Sequence, residues 1–238
     1  MFSASRISEL LAGGEGKTRN KYILDLAMQE IGIENDFDTK EMRHGTINQI
    51  NSFEQIIKPK YKSAKWLDVF IPINEYCGAS PDAVIFENIP VDMKCPYYID
   101  TYIEQIKTLP KKYFYQSQMQ MMAMKSEFGL MCFFLTKPDN SAIETWSEYP
   151  FELKFRNFTY EIPKDNQACD DILKAVELAI PVKKTLYELL CDADVLSEDE
   201  YFYRQLEEYK FRELKDANNI LNVEQCFRVG NKFYYLRK

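Results

Sequence analysis

Hydrophobic residues recur three or four positions apart, the spacing of one helix face, in five stretches: residues 22–31, 43–58, 100–108, 111–125 and 172–190. Proline limits two of these predicted helices, because its ring removes a backbone donor and clashes with the preceding turn. The second helix is expected to stop before Pro59, and the last to be kinked or divided at Pro181. A shorter helix, capped by Ser3 or Ser5, is predicted before the first of them.

Shorter apolar or alternating runs, rich in β-branched and aromatic residues, predict strands at residues 66–71, 83–86, 91–94 and 130–135, with further strands within 142–162. Helices and strands are therefore interspersed along the chain. This order predicts a mixed α/β domain. Residues 1–191 are expected to form this domain.

Residues 192–238 are predicted to form a C-terminal extension made of a helix and a hairpin. Acidic residues dominate its start, and residues 201–214 carry a charged helical pattern. Residues 225–228 and 233–236 fit the two strands of a hairpin around Val229-Gly230-Asn231. No motif in the extension indicates its role.

The composition narrows the class of protein. With 46% hydrophobic residues, the 238-residue chain can bury a sizeable core. It has no apolar run of about 18 residues that could span a membrane, and its first residues lack the pattern of a signal peptide, so a cytoplasmic protein is expected. The six cysteines lie far apart without a C-x-x-C pair, which predicts buried free thiols rather than a structural zinc site or an iron–sulfur cluster.

The formal net charge of −7 counts against simple electrostatic binding to nucleic acid. It does not exclude a metal-dependent nuclease, because such a site concentrates carboxylates and its cations reverse the local field. Lysines also cluster within residues 58–65 and 107–112, where a DNA-facing surface and an ordinary solvated surface fit equally well.

The residues that indicate chemistry lie in two short segments. Asp82 ends the first, and Asp92 and Lys94 share one face of the strand predicted for the second. If the chain folds back around Glu87, Asp82 comes opposite Asp92, with Cβ atoms about 4.5–5.5 Å apart. Two carboxylates at that spacing repel each other unless a cation lies between them, and their oxygens suit Mg²⁺ or Mn²⁺.

Lys94, next to this carboxylate pair, indicates which reaction the metal site would catalyse. Hydrolysis of a phosphodiester needs an activated water and stabilisation of the developing charge, which a metal and a nearby ammonium group can supply. For an isolated D-x₉-D-x-K pattern, a turn followed by a surface ion pair is the commoner explanation. Three additions favour the metal site: the Ser-Pro before Asp82, the Cys-Pro after Lys94, and a glutamine-rich helix further along.

In that helix, Tyr113, Gln116 and Gln120 share one face at positions i, i+3 and i+7. Glutamine side chains can orient a water molecule or a phosphate oxygen near a metal without adding charge. The alternative is a set of exposed polar positions on an amphipathic helix. Taken by itself, the helix would favour that alternative.

Together these segments resemble, in order and spacing, the motifs of the lambda-exonuclease or YqaJ-like viral recombinase family of PD-(D/E)XK nucleases. The matching segments are Ser80-Pro81-Asp82, Asp92-Met93-Lys94-Cys95-Pro96 and Tyr113-x-x-Gln116-x-Gln118. Ser3-Ala4-Ser5-Arg6 resembles the family's small-residue N-terminal element, and His44-Gly45-x-x-x-Gln49 resembles a W-G-x-x-x-E element. The resemblance extends over residues 3–190 and leaves the C-terminal extension unaccounted for.

The resemblance implies an α/β fold with a restriction-endonuclease-like PD-(D/E)XK core, in which a mixed central sheet is flanked by helices. It also assigns roles to the matching residues. The implied metal ligands are Asp82, Asp92, the backbone carbonyl of Met93 and Gln49. The implied catalytic residues are Asp82, Asp92, Lys94 and Gln116. The implied DNA-binding residues are Ser5, Arg6, Ser80, Tyr113 and Gln118, of which the two serines would bind a terminal 5′-phosphate.

The resemblance also implies an activity. Members of the family degrade one strand of linear duplex DNA from its 5′ end with Mg²⁺, for which Mn²⁺ would substitute. They leave 3′ single strands for a recombinase or a single-strand annealing protein. Double-stranded DNA ends are therefore the implied substrate, an annealing protein the implied partner, and a trimer around the DNA the implied assembly.

The chain departs from the family pattern at two places. Gln49 stands where the family has a glutamate, which predicts a weaker second metal site. The arginine that family members place upstream of the Ser5 region has no counterpart, so Arg6 or Arg19 would take its place. His44, the only histidine, is expected to be structural rather than a general base.

These departures leave two further hypotheses beside the 5′-to-3′ exonuclease. One is a nuclease of the same superfamily that acts on single strands, flaps or internal sites. The other is a DNA-end or partner-binding protein with impaired catalysis. The presence of Asp82, Asp92 and Lys94 favours catalysis, since a decayed site need not keep all three.

Overall fold

The computed structural model describes residues 1–13, 16–33, 39–136, 152–192, 212–214, 226–229 and 232–235. The chain forms two compact units, one of Met1–Ile7 with Phe37–Ile172 and the other of Ser8–Asp36 with Leu173–Lys238. This division does not follow the sequence boundary after residue 191. A separate role for residues 192–238 stays a prediction.

The described part of the chain contains helices, short helical turns and strands. The α-helices are α1 (Ile7–Leu10), α2 (Lys17–Glu30), α3 (Lys40–Ser52), α4 (Lys58–Lys60), α5 (Ile99–Lys107), α6 (Lys111–Met124), α7 (Leu153–Arg156) and α8 (Asn166–Asp192). The strands are β1 (Phe2–Ser3), β2 (Lys65–Trp66), β3 (Ile71–Pro72), β4 (Cys77–Ala79), β5 (Ala83–Ile85), β6 (Ile89–Lys94), β7 (Phe128–Phe134), β8 (Asn157–Pro163), β9 (Arg212–Leu214), β10 (Cys226–Val229) and β11 (Lys232–Tyr235). A 3₁₀ turn covers Ala4–Arg6, and a π-helical turn covers Phe53–Ile57.

A mixed five-stranded sheet, in the order β2-β5-β6-β7-β8, forms the centre of the first unit. Strands β6 and β7 are parallel, while the other neighbours are antiparallel. A parallel pair needs a crossover connection, and α5 and α6 provide it. The predicted α/β fold with a mixed sheet flanked by helices is therefore confirmed.

Both faces of this sheet are covered by hydrophobic residues. Along β7, Leu130 and Cys132 join one cluster with Val91 and Met93, while alternate residues join a second cluster with α5 and α6. Because side chains of a strand alternate between faces, Asp92 points away from the face that Val91 and Met93 occupy. The core thus directs Asp92 towards the side of the glutamine-rich helix α6.

A small second sheet has the strand order β1-β4-β3, and its central strand β4 ends directly before Ser80. The N-terminal strand β1 pairs in parallel with β4, and the 3₁₀ turn after it contacts β4 and α6. Glycine is required at position 78, since a Cβ atom there would lie 2.6 Å from both the Ile71 carbonyl oxygen and the Phe70 ring. The absence of a side chain at this position therefore allows β4 to pair closely with β3.

Several predicted elements differ from the structure. The run at residues 66–71 is divided between β2 and β3, which belong to different sheets. The second helix does not stop before Pro59, because a π-helical turn precedes this proline and places it in the first turn of α4, where its missing N–H is not needed. The last helix is not divided at Pro181, which lies inside α8.

In the second unit, all residues of α2 from Tyr22 to Met28 are buried, so the helix is covered on every side over this stretch. Lys183 forms an ion pair with Glu30 at the end of α2. Strands β10 and β11 form the predicted hairpin, with Val229 paired to Lys232. Residues 212–214 are a strand paired with β11, not part of a helix, because the hairpin edge offers them backbone partners. Residues 201–211, and the strand region before residue 152, lie outside the described residues.

Two predictions from composition can be compared with the described part of the chain. The thiols of Cys77, Cys95, Cys132 and Cys169 are free and buried as predicted, whereas that of Cys191 is half-buried. Among the described helices, none is both long and apolar enough to span a membrane.

Candidate active site

A tight hairpin between β5 and β6 brings the two carboxylates together. Ala83 pairs with Val91 and Ile85 pairs with Ile89, so that Asp82, the residue before β5, comes opposite Asp92. The turn is closed by Phe86 and Glu87, which have positive φ angles of 47° and 74°. The predicted juxtaposition of the two aspartates is therefore confirmed by the strand register.

Asp82 is half-buried and fixed by the opposite strand. Its Oδ2 accepts a hydrogen bond of 2.6 Å from the Met93 backbone nitrogen. Burial, and then the charge of Asp92, raises the pKa of Asp82 to about 7, against the opposing effects of Lys94 and of the Met93 amide. A carboxyl group in this environment gains from any cation that screens it from Asp92.

Asp92 is only 1% exposed and is held from the side of α6. Its Oδ1 accepts hydrogen bonds from the side-chain amides of Gln116 and Gln120, both 2.7 Å long. Its Oδ2 lies 2.5 Å from Lys94 Nζ in an ion pair but has no hydrogen-bond partner of normal geometry among the described residues. One oxygen is therefore committed to the protein, while the other faces the lysine and the site.

Lys94 follows Asp92 on the same face of β6, as its spacing predicts. Burial alone would lower the pKa of Lys94, but the charges of Asp92 and Asp82 outweigh it and raise that pKa above its usual value. The ammonium group also lies 5.1 Å from the centre of the Tyr113 ring. Lys94 is thus a fixed positive charge next to both carboxylates.

Gln49 approaches the same point from α3. Its Nε2 lies 3.4 Å from Asp82 Oδ2 and 3.4 Å from the Met93 carbonyl oxygen. Both of these oxygens are acceptors, so the nitrogen of the amide, and not its oxygen, must face them. The contacts are long, and the side chain is half-buried. Gln49 therefore touches two implied metal ligands without holding them tightly.

These groups fit a divalent cation. The carboxylates of Asp82 and Asp92 and the Met93 carbonyl offer only oxygen atoms, the donors that Mg²⁺ and Mn²⁺ prefer. Asp92 Oδ2 is buried and lies against the Lys94 ammonium, and no hydrogen bond of normal geometry from the other described residues occupies it, so it is open to a cation on the side of the site. Among the described residues, no group of three or more His, Cys, Asp or Glu side chains is placed to hold a metal.

A cleft of about 610 Å³ adjoins the site. Gln49, Met93 and Lys94 line one part of it, and further along it is lined by Glu41, Tyr97, Tyr98, Gln105, Lys112 and Tyr113. Lys112 lies 4.7 Å from the centre of the Tyr113 ring, whose surroundings also include Lys94. The cleft therefore combines tyrosine rings with a second ammonium group beside the carboxylate pair.

The N-terminal residues lie near the segment that carries Ser80. Ser80 is exposed just beyond β4, and Ser5 and Arg6 belong to the 3₁₀ turn that contacts β4. Ser5 Oγ lies 3.2 Å from Ser3 Oγ. The family resemblance pairs Ser5 and Ser80 in one role, the binding of a terminal 5′-phosphate, and this role stays a prediction.

Gln118, by contrast, is not brought to the site. It is fully buried, its Nε2 donates to the Pro163 carbonyl at 3.0 Å, and its Oε1 accepts from the Asp165 nitrogen at 2.8 Å. Residues two positions apart on a helix point to different faces, so Gln118 faces away from Asp92, which Gln116 contacts. The prediction that Gln118 contacts DNA is corrected accordingly: it ties α6 to the end of β8.

His44 has the structural surroundings that were predicted for it. It is buried, and its ring nitrogens contact the Asn48 amide at 3.3 Å and the Thr136 hydroxyl at 3.1 Å. Burial lowers the pKa of His44, against an opposing contact with the Pro96 backbone. A neutral, hydrogen-bonded imidazole in this place secures α3, the helix that carries Gln49.

Among the described residues that contact the carboxylate pair, Gln120 stands out because the family motifs do not contain it. The signal for it was present, because it follows Gln116 by four residues and so lies on the same helix face. Lys112 belongs to the lysine cluster of residues 107–112, for which a DNA-facing surface was one of two alternatives, whereas Tyr97 and Tyr98 in the cleft had no such signal. Their positions depend on how the segment after β6 turns towards α5.

Comparison with models of protein families gives a match over the first half of the chain. The sequence model of the YqaJ-like viral recombinase domain matches residues 1–127, slightly more than half of the chain. No curated protein is significantly similar to the chain. The matched residues include the hairpin with Asp82, Asp92 and Lys94 and the part of α6 that carries the glutamines.

Solved structures share the fold at low sequence identity. The alkaline exonuclease of Laribacter hongkongensis superposes with a TM-score of 0.63 and 18% identity over 87% of this chain and 93% of its own. The same protein in complex with dAMP gives a TM-score of 0.65 and 21% identity over 82% of this chain and 94% of its own. A phage-related exonuclease of Haemophilus somnus 129PT gives 0.65 and 16% over 79% of this chain and 95% of its own. These similarities establish the PD-(D/E)XK-like fold.

Proposed function

Because the chain belongs to the YqaJ-like viral recombinase family, we propose that it is a metal-dependent DNA exonuclease of the lambda-exonuclease type. It hydrolyses phosphodiester bonds from the 5′ end of linear duplex DNA and leaves 3′ single strands for recombination. The observation that carries the proposal is that Asp82, Asp92 and Lys94 come together beside the Met93 carbonyl, which shares its Gln49 contact with Asp82.

The chemistry follows from what these residues can hold. In the hydrolysis, a water oxygen attacks phosphorus, the bond to the leaving oxygen breaks, and that oxygen takes up a proton. A divalent cation held by Asp82, Asp92 and the Met93 carbonyl would lower the pKa of a bound water and polarise the phosphate. Lys94, kept protonated by the carboxylates, places a positive charge where negative charge develops.

The glutamines of α6 serve this arrangement indirectly. Gln116 and Gln120 fix Asp92 through Oδ1 and so leave Oδ2 towards the cation and Lys94. Hydrogen bonds of this kind orient a metal-binding carboxylate and strengthen its hold on the metal. Gln116 is accordingly a positioning residue in this proposal, as is Gln120.

The cleft supports nucleic acid as the substrate. Tyrosine rings such as those of Tyr97 and Tyr98 can stack on bases, and the Lys112 ammonium can contact a phosphate next to the reacting one. In the proposal Ser5, Arg6 and Ser80 bind the terminal 5′-phosphate, and Tyr113 borders the strand at Lys94.

Strand polarity is tested with a linear duplex labelled at the 3′ end of one strand and carrying either a 5′-phosphate or a 5′-hydroxyl on that strand. The proposal predicts progressive shortening of the labelled strand from its 5′ end, faster with the phosphate. Immediate release of the label as a mononucleotide would show digestion from the 3′ end and contradict the proposed polarity. Equal rates for the 5′-phosphate and the 5′-hydroxyl substrates would contradict the proposed binding of the 5′-phosphate by Ser5 and Ser80.

A further inference from the structure

We infer that this site binds one divalent cation rather than two, and that Gln49 sets this number. The inference rests on the proposed function, because it concerns the cation of that nuclease site. It departs from the arrangement common among phosphodiester hydrolases, in which two metal ions about 3.5–4 Å apart flank the reacting phosphate.

The supply of anionic ligands is the first reason. Each of two neighbouring ions needs carboxylate oxygens of its own or a carboxylate that bridges them. Asp92 cannot give one oxygen to each of two ions, because its Oδ1 already accepts 2.7 Å bonds from Gln116 and Gln120 and only Oδ2, shared with Lys94, faces the site. Asp82 has its Oδ2 bonded to the Met93 nitrogen at 2.6 Å. Among the described residues, no third His, Cys, Asp or Glu joins these two side chains as a metal-binding group.

The position of Gln49 is the second reason. Its amide lies 3.4 Å from both Asp82 Oδ2 and the Met93 carbonyl, so a side chain of this length at this helix position reaches the cation site. After rotation, the amide can offer a single neutral oxygen to the cation that these ligands hold. It cannot neutralise a second one. A glutamate of the same size and shape would supply both a further oxygen and a negative charge.

Charge balance gives the same result. Two carboxylates and the Lys94 ammonium leave one net negative charge at the site. One divalent cation together with one phosphodiester charge then gives a neutral assembly. A second divalent cation would leave two positive charges uncompensated next to Lys94, in a place where Asp92 is 1% exposed and water screens little.

The test counts bound Mn²⁺ by electron paramagnetic resonance. Wild-type protein and the Gln49→Glu variant are titrated with Mn²⁺ in the presence of a short 5′-phosphorylated duplex with phosphorothioate linkages, which cleaves slowly. The Asp82→Ala variant with the same duplex gives the baseline for ions bound to DNA alone. Wild-type protein should bind one Mn²⁺ above this baseline with an uncoupled six-line spectrum. Gln49→Glu should bind two, with the spectrum of a spin-coupled pair.

Two ions above the baseline in wild-type protein, or only one in Gln49→Glu, would overturn the inference. The same preparations are assayed for cleavage of an unmodified linear duplex with Mn²⁺, which separates the inference from the proposed function. Wild-type protein that cleaves and binds two ions overturns the inference alone. Protein that is folded, binds no ion above the Asp82→Ala baseline and does not cleave overturns both.

Discussion

The two flanks of the carboxylate pair are built differently. On the α6 side, Gln116 and Gln120 are buried and donate 2.7 Å hydrogen bonds to one oxygen of Asp92. On the α3 side, Gln49 is half-buried, lines the cleft and reaches Asp82 and the Met93 carbonyl only at 3.4 Å. The same side-chain type therefore forms a tight support on one flank and a loose contact on the other.

This difference has a physical reason. A buried charged carboxylate is stable only when hydrogen bonds replace its lost water, and short amide bonds to Asp92 supply that replacement permanently. In the proposed function the α3 flank admits a cation and a phosphate, and such a flank cannot be closed in the same way, because every strong contact there would have to break first. In the proposed function, the tight flank therefore pre-organises Asp92 as a ligand, and the loose flank leaves room for the reaction.

The largest effect is expected between the flanks, at Lys94. In Lys94→Met the side chain keeps its length but loses its charge, so cleavage of linear duplex DNA should slow by about 10²–10³-fold, as for the loss of one group that stabilises developing charge. Single-turnover rates measure this, and circular dichroism checks that the variant is folded. A rate within tenfold of wild type would remove Lys94 from the catalytic residues.

The next effect concerns the tight flank. Gln120→Leu removes one of the two amides on Asp92, which should weaken Mn²⁺ binding by about 10–100-fold and lower the free energy of unfolding by about 1–3 kcal/mol. Gln118→Leu is the matched control, because Gln118 is equally buried on the same helix but bonds to Pro163 and Asp165. Its stability should fall similarly while its Mn²⁺ affinity stays that of wild type. Equal Mn²⁺ affinities in the two variants would mean that the tight flank does not position Asp92.

The smallest effect is expected on the loose flank. Gln49→Ala removes only two long contacts, and alanine has a slightly higher helix propensity than glutamine in α3. The free energy of unfolding should therefore change by less than about 0.5 kcal/mol. Urea denaturation of the metal-free protein measures it. A loss as large as that of Gln120→Leu would show that the two flanks are equally tight, and the comparison would not hold.

Local sequence patterns were sufficient for the core of the site. The alternation of residues 91–94 placed Asp92 and Lys94 on one face, and the ten-residue separation from Asp82 predicted the hairpin whose register the structure confirms. Both depend on neighbours in sequence. The helices α5 and α6 were likewise predicted from their periodicity, with bounds that differ by at most one residue.

Features that depend on distant contacts were not predicted. Strand β1 has two residues, too few for any periodicity, and exists because it pairs with β4. The division of residues 66–71 between two sheets depends on which partner each end finds. Gln118 was assigned to DNA from the family motif, although its helical position two residues from Gln116 already indicated the opposite face. The sequence also could not show which atoms of Gln49 face Asp82.

The most direct test of the central claim compares linear and covalently closed circular duplex DNA of the same sequence, incubated with wild-type protein or Asp82→Ala in Mg²⁺ or in EDTA. An exonuclease that depends on a cation at Asp82 should degrade only the linear DNA, only in Mg²⁺ and only as wild-type protein. Cutting of the circular DNA would instead indicate an endonuclease. Degradation of linear DNA in EDTA or by Asp82→Ala would contradict the metal site itself.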